Sequence, residues 1–380
     1  MSTREMFIDK SSWTVTKFGD VAIQQKVNVN REDTSLTKYV KGEHMSSEDI
    51  HLRSWGELQD EYLGPAFIRY FEEGDILYGS RRTYLKKVSI APFEGITSNT
   101  TFVIKAKEEK IDKRLLPFLM LSDGFTEHSI MHSKGSVNPY INWKDLAKYE
   151  FLLPPKDQQA QLAKLLWAMD DVIESEKKVL NTVKINQAVC LKNFFDENTK
   201  EIQLKKLGEI ITGSTPSTKK EEYWNGDIQF VTPADIEEQV LIKETERYIS
   251  NEGLKVTREI PANSVMVVCI ASVGKIAISN ERCATNQQIN TIIPKGGVDY
   301  RYLYNTLKLF NHRIISRAAK SVVPILNKGD FSLIKIPVLE NDKQQNFVQL
   351  AEKFEHSINN LKSKIYYSQS LQKSIINQIF

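Results

Sequence analysis

Eight consecutive residues, Ser80-Arg81-Arg82-Thr83-Tyr84-Leu85-Lys86-Lys87, hold four cations and an aromatic ring. Arginine pairs bidentately with guanine O6 and N7, and lysine neutralises phosphate, so this concentration suits a duplex. Its plainer alternative is a solvated strand face. A second run, Ala284-Thr285-Asn286-Gln287-Gln288, places three amides in a row. Asn and Gln pair with adenine N6 and N7, which makes Asn286, Gln287 and Gln288 adenine readers or, equally, a polar turn capped by its own side chains. Lys134 and Lys320 precede two similar stretches, Ser136–Asn142 and Ser321–Asn327, and both suit phosphate contact. Asn138, Tyr140 and Lys275 complete the candidate nucleic-acid surface.

Catalytic patterns are weaker. Ser272-Val273-Gly274-Lys275 resembles the end of a phosphate-binding loop, but Ile276 replaces the Ser/Thr and Cys269 stands where the first glycine belongs. Asn138-Pro139-Tyr140 lacks the second proline of the base-flipping tetrapeptide of amino-methyltransferases, and no Gly-rich S-adenosylmethionine loop accompanies it. His128 and His132 stand four apart, a metal-pair spacing without a third ligand nearby in sequence. The chain therefore reads as non-catalytic and as holding no metal.

These patches recur. Gly74-Asp75-Ile76-Leu77 is matched by Asn263-Ser264-Val265-Met266 at an offset of 189, with Lys86 matched by Lys275. Lys17-Phe18-Gly19-Asp20 aligns with Lys206-Leu207-Gly208-Glu209, also at 189. Ser136–Asn142 aligns with Ser321–Asn327 at 185, as do Asp145 with Asp330, Asp157 with Asp342 and Gln159 with Gln344. The constant order and near-constant offset imply a duplicated unit of about half the chain.

Each unit ends in a long helical pattern free of Pro and Gly, from Lys156 to Phe195 and from Asn341 to Phe380. Positions 162, 166, 169, 173, 176, 180, 183, 187, 190 and 194 step by four and three, and adding 185 gives the second seam. That 3.5-residue period is a coiled-coil seam. Two equal seams predict an antiparallel pair burying Leu166, Ile173, Leu180, Ile358, Leu361 and Ile365. Asp157 and Asp342 are expected as N-caps.

Before each helix, short β-type runs such as Ile76–Tyr78, Thr101–Ile104, Val265–Val268 and Ile289–Ile293 alternate with Gly and Pro turns. Helices are expected over Lys113–Leu121 and Asp299–Phe310. The fold class is α+β: two similar globules, each followed by a long helix. The expected boundaries are 1–155, 156–200, 201–338 and 339–380. The 380 residues include 41% hydrophobic ones, enough for globular cores, and 51 Lys+Arg against 48 Asp+Glu leave only +3. Net charge alone thus does not mark a nucleic-acid binder; the local patches carry that reading. Neither an apolar leader nor a membrane-length apolar run is visible, and three scattered cysteines suit a reducing cytoplasm.

The stretch Leu207–Ser217, continuing through Tyr223–Ile228 and Phe230–Ile236, resembles the start of a target-recognition domain in the specificity subunits of type I restriction–modification systems. Leu153–Gln159 and the segment from Ile336 to Gln345 are similar to the starts of that family's helical spacers, and the duplicated plan matches over the whole chain. The first globule lacks the Thr-Pro-Ser stretch. The resemblance implies that each globule reads half of a bipartite double-stranded DNA target and that the helices space the half-sites. It further implies two methyltransferase (modification) subunits and ATP-dependent translocase/nuclease (restriction) subunits as partners, in a bacterial or archaeal cytoplasm. S-adenosylmethionine, ATP and Mg2+ would then sit on those partners and none on this chain. The rival from another class is a coiled-coil scaffold with two protein-binding domains and no DNA role; salt-dependent duplex binding separates the two. An enzyme in its own right, such as a fused methyltransferase, would need the missing cofactor loop.

Overall fold

The structure, a computed structural model, describes residues 8–30, 33–236, 240–318 and 323–380. No helix among them is long and apolar enough to cross a membrane. The chain divides into two compact units, Met1–Lys178 with Lys362–Phe380, and Val179–Leu361. The division falls inside both long helices, so each unit is one α+β globule carrying part of each helix.

In the first unit, one antiparallel sheet has the order Ala22–Gln25, Thr101–Ala106, Ile76–Gly79, Val88–Ile90. Its side chains alternate between two cores. Ile76, Tyr78, Phe102 and Ile104 face the helices, while Leu77 and Val103 face Val40, Met45 and Phe71. Burial on both faces explains why these strands are continuous apolar runs. The second sheet has the order Gly56–Glu57, Lys38–Val40, Gly95–Ser98, Phe67–Phe71, and its two central strands run parallel.

The second unit repeats this frame. Its larger sheet runs Gly208–Thr212, Ile289–Pro294, Val265–Val268, Ile276–Ser279, Leu241–Ile242. Val265 and Val267 face one core; Met266 and Val268 face another. Its smaller sheet runs Arg247–Ile249, Trp224–Val231, Cys283–Thr285, again with a parallel central pair. The first unit's outer strand Phe67–Phe71 shrinks here to a single bridge, Ile260 to Cys283.

Hydrogen bonds fix the equivalences and correct one of them. Phe18 N–H donates to the Tyr149 carbonyl at 2.7 Å, and Leu204 N–H donates to the Ile334 carbonyl at 2.9 Å. Each opens a four-residue helix, Phe18–Val21 and Leu204–Leu207. Phe18 therefore corresponds to Leu204, not to Leu207. The Lys-Phe-Gly-Asp and Lys-Leu-Gly-Glu tetrapeptides lie one short turn out of step, and their glycines differ in role. Gly19 packs on Ala147 inside its helix, whereas Gly208 begins a strand beside the Ile293 carbonyl.

The helices expected over Lys113–Leu121 and Asp299–Phe310 occupy Leu116–Leu121 and Tyr300–Leu309, the latter capped by the Asp299 side chain. The long helices span Lys156–Lys192 and Asn341–Ile379. In the first unit they run antiparallel: the Gln372 amide donates to the Leu166 carbonyl at 3.3 Å, and Lys364 pairs with Glu176 at 3.2 Å. In the second unit Leu191, near the end of the first helix, packs with Phe347, Val348 and Ala351, near the start of the second. Leu166, Ile173, Ile358 and Ile365 are buried; Leu180 and Leu361 are half-buried. Asp157 and Asp342 lie inside the first turns rather than at the caps. The local anchors are instead Gln159 and Gln344, both buried, whose amides donate to the Pro154 and Leu339 carbonyls, each at 2.8 Å.

Candidate nucleic-acid interface

In the first unit three loops meet. The chain leaves the strand Ile76–Gly79, passes Arg81 and Arg82, makes a 3-10 turn over Thr83–Leu85, and enters the strand Val88–Ile90. The basic cluster is thus a loop, not a strand face. Arg82 and Lys86, on either side of the turn, hold left-handed backbone at φ 50° and 46°, a conformation that costs an L-residue about 1–2 kcal/mol. The loop 134–140 supports it. Arg82 N–H donates to the Pro139 carbonyl at 2.7 Å, Arg82 Nε donates to Asn138 Oδ1 at 3.2 Å, and Arg81 bridges to Tyr140. Lys134 bridges to the other side of Tyr140 and reaches Asp145 at 3.7 Å. The third loop, Ser98–Thr100, is held by Ser80 N–H on the Thr100 carbonyl at 3.2 Å. Arg81, Arg82, Tyr84, Asn99, Lys134, Asn138 and Tyr140 are all exposed around this junction.

Two cations of the cluster are spoken for. Lys86 is 9% exposed; its ammonium pairs with Asp123 and, at 3.5 Å, with Glu48. It anchors the turn and is not placed to meet a phosphate. Lys87 is half-buried and donates to the Gly42 carbonyl.

The second unit builds the same junction at the repeat offsets. Ala271 N–H donates to the Pro324 carbonyl at 2.9 Å, Ile270 bridges to Ile325, and Cys269 N–H donates to the Gln288 carbonyl at 2.7 Å. Ala271 holds φ 61° where Arg82 holds φ 50°. Asn286 and Gln288 satisfy each other through an Asx turn, with Asn286 Nδ2 on Gln288 Oε1 and Gln288 N–H on Asn286 Oδ1, both at 3.0 Å. The capped-turn reading therefore fits those two. Gln287 remains exposed, with Thr215 Oγ1 donating to its Oε1 at 2.8 Å. Lys275 is half-buried just before the strand Ile276–Ser279. Lys320 lies outside the described residues.

Asn99 and Thr215 were not among the sequence candidates. Asn99 precedes Gln287 by 188, so the repeat was the signal that could have found it. Thr215 has no repeat counterpart to mark it, since the first globule lacks the Thr-Pro-Ser stretch.

Other reactive side chains are engaged in structure. His128 Nε2 meets the Asp145 carbonyl at 2.9 Å, and His132 Nδ1 meets the His128 carbonyl at 2.9 Å. Burial pushes the Cys269 thiol up to about 11 and that of Cys283 up to about 12, so both stay protonated. Asp49, His51 and Glu174 bring ligand atoms within 4.8 Å of one another. Arg53 and Lys177 neutralise the two carboxylates, however, and His51 Nε2 pairs with Asp170 at 2.8 Å. This cluster ties the first globule to the first long helix.

The family profile described as "Type I restriction modification DNA specificity domain" matches twice, over residues 10–185 and 196–367. Among curated relatives, the MjaIX specificity subunit of Methanocaldococcus jannaschii is 34% identical over 171 residues, covering 43% of this chain and 39% of that protein. The HindI specificity subunit of Haemophilus influenzae is 31% identical over 163 residues, covering 41% and 36%. The matched stretches thus span about two fifths of those relatives. One solved chain, from work on assembly and conformational transition of the type I R-M system, superposes with TM-score 0.60 at 18% identity over 97% of each chain, a likeness of fold.

Proposed function

The chain belongs to the type I restriction modification DNA specificity family, and from that membership we propose that it is a non-catalytic subunit that reads a bipartite DNA target. One observation carries this reading beyond the family name. Each unit brings three loops to one junction through the same backbone hydrogen bonds, and in the first unit that junction exposes two arginines, a lysine and two amides. Guanidinium and amide groups held on a fixed frame are what major-groove readout needs, with the lysine set for a phosphate.

Two methyltransferase subunits, and restriction subunits in addition, are the partners this reading implies. A duplicated chain offers them two equivalent docking surfaces. S-adenosylmethionine, ATP and Mg2+ would serve on those partners, where the chemistry takes place, in the cytoplasm of a bacterium or archaeon.

The test is selection of bound duplexes from a random library by the full chain assembled with its modification subunits. Two separate words are expected. Exchange of residues 1–155 for the matching domain of a relative should rewrite one word and leave the other unchanged. A single word, or rewriting of both, would count against the modular reading, and loss of all sequence preference would remove it.

A further inference from the structure

The two junctions share a backbone and differ in side chains. Where the first unit has Arg81, Arg82, Asn138 and Tyr140, the second has Ile270, Ala271, Val323 and Ile325. The correspondence is fixed by paired contacts: Arg82 on Pro139 against Ala271 on Pro324, and Arg81 with Tyr140 against Ile270 with Ile325. The second set is apolar; Ile270 is half-buried and the other three side chains are exposed. Val323 is 51% exposed and Ile325 53% exposed. Ile315, 47% exposed, lies against Gly274 of the same hairpin.

Resting on the proposed DNA role, we infer that the second unit recognises thymine through its 5-methyl group, with Ile325 and Val323 as the reading side chains. The major-groove edge of duplex DNA carries one apolar feature, the methyl of thymine, and apolar side chains are its partners. The occupant follows from continuity. The same frame in the first unit presents cations and amides suited to nucleic acid, and in the second unit the adjoining loop, joined through Cys269 N–H on the Gln288 carbonyl, exposes Gln287. A protein partner would not be expected to seat on one junction that is cationic and on its twin that is apolar. The two half-sites are then read by different chemistry, polar in the first and apolar in the second.

The experiment uses the full chain with its modification subunits and the duplex that selection yields. Each thymine of the second half-site is replaced singly by uracil, which removes only the methyl. Loss of one buried methyl-sized contact is worth about fourfold in affinity, so at least one position should weaken by about that factor. Ile325→Ala or Val323→Ala should abolish the thymine–uracil difference at that position while binding elsewhere in the site is kept. Both side chains are exposed, so an unchanged melting curve is expected and controls for folding. Indifference of the unmodified protein to uracil throughout the second half-site overturns the inference and leaves the DNA role standing. A variant that weakens every duplex equally, or that fails to assemble with its partners, also overturns it, because the apolar pair would then serve a wedge or a protein contact. Absence of any selected word removes the DNA role and the inference together.

Discussion

The loop junctions of the two units differ in side chain at all four matched positions and agree in the hydrogen bonds beneath them. The contacts that hold the frame run from backbone N–H to backbone carbonyl, and only Pro139 and Pro324 repeat by type. A loop positioned by its backbone can change its side chains without losing its shape. Positions 81, 82, 138 and 140, and their partners 270, 271, 323 and 325, are therefore where specificity can vary at small cost in stability. The supports beneath differ in the opposite sense. Beside the apolar packing of Ala163, Leu166 and Trp167, the first globule is tied to its long helix by a polar loop, Asp49 to Arg53, against Asp170, Glu174 and Lys177. The second is tied by the helix Tyr300–Leu309, through Arg301 to Glu352 at 3.1 Å and Lys308 to Glu355 at 2.8 Å.

The largest expected effect tests the helix supports. Phe347 is fully buried among Phe194, Phe195 and Tyr302. Its counterpart 185 residues earlier, Leu162, is only half-buried. Phe347→Ala should cost about 3–5 kcal/mol, and Leu162→Ala clearly less than the roughly 2–5 kcal/mol of a fully packed leucine. Urea unfolding of both variants measures this. Equal losses would mean that the two seams are equally packed after all.

That asymmetry also marks what the sequence could reveal. Period reads directly from side-chain type, so the seams, the strands Ile76–Gly79 and Val265–Val268, and the α+β duplication were all legible. The alignment of Phe18 with Leu207 failed because a tetrapeptide match carries no information about which turn of a helix it occupies. Sequence alone points Lys86 toward phosphate because its partners, Asp123 and Glu48, are remote in the chain. The cap assignment to Asp157 and Asp342 missed Gln159 and Gln344, whose bonds reach back five residues, beyond the usual cap spacing.

The buried glutamines give the next effect. Gln344 donates to the Leu339 carbonyl, while Gln159 donates to the Pro154 carbonyl and also accepts from Asp112 N–H at 2.7 Å. Leaving such groups unpaired costs about 1–3 kcal/mol each. Gln159→Leu should therefore destabilise more than Gln344→Leu, since it orphans one further backbone donor. Thermal melting of the two variants ranks them, and the reverse order would break the comparison.

At the junction itself, Arg82→Ala should cost about 1–3 kcal/mol of cognate binding and relax one position of the first half-site. Ala271→Ser, at the equivalent place, should change affinity little. Lys134→Ala should instead weaken all sequences alike and lower the salt slope by about one unit. Titrations of cognate and single-mismatch duplexes across a salt series separate these outcomes. An unaltered mismatch profile in the Arg82 variant would assign that arginine to support of the loop through Asn138.

The smallest effect distinguishes the polar tie of the first unit from the helical tie of the second. The hydrogen bond to Asp170 holds His51 above the usual imidazole range, against the opposing pull of burial. Asp49 and Glu174 add to the field on one side, and Arg53 and Lys177 oppose them. A raised folded value means that the protonated pair stabilises the fold fully below the unfolded value near 6.5, and that this is lost as pH rises through the higher folded value. For Glu174 burial resists ionisation, but the hydrogen bonds from Arg53 and Lys177 outweigh it and hold the carboxyl down at about 2. Its contribution is present above the unfolded value near 4.5 and fades as pH falls toward about 2. Both parts of the tie are therefore intact between about pH 4.5 and 6.5. His51 is a third exposed, so its share should be of the size of a surface pair, about 0.2–1 kcal/mol. His51→Gln should flatten the decline in stability of the first unit as pH rises above about 6.5 and leave the acid limb, to which Glu174 contributes, unchanged. Melting temperatures of the full chain and the variant across about pH 4 to 9 measure the difference, with hydrogen exchange assigning it to the loop 46–53. An identical decline above about pH 6.5 in both proteins would locate the pH dependence elsewhere and leave the two ties alike in their response to protons.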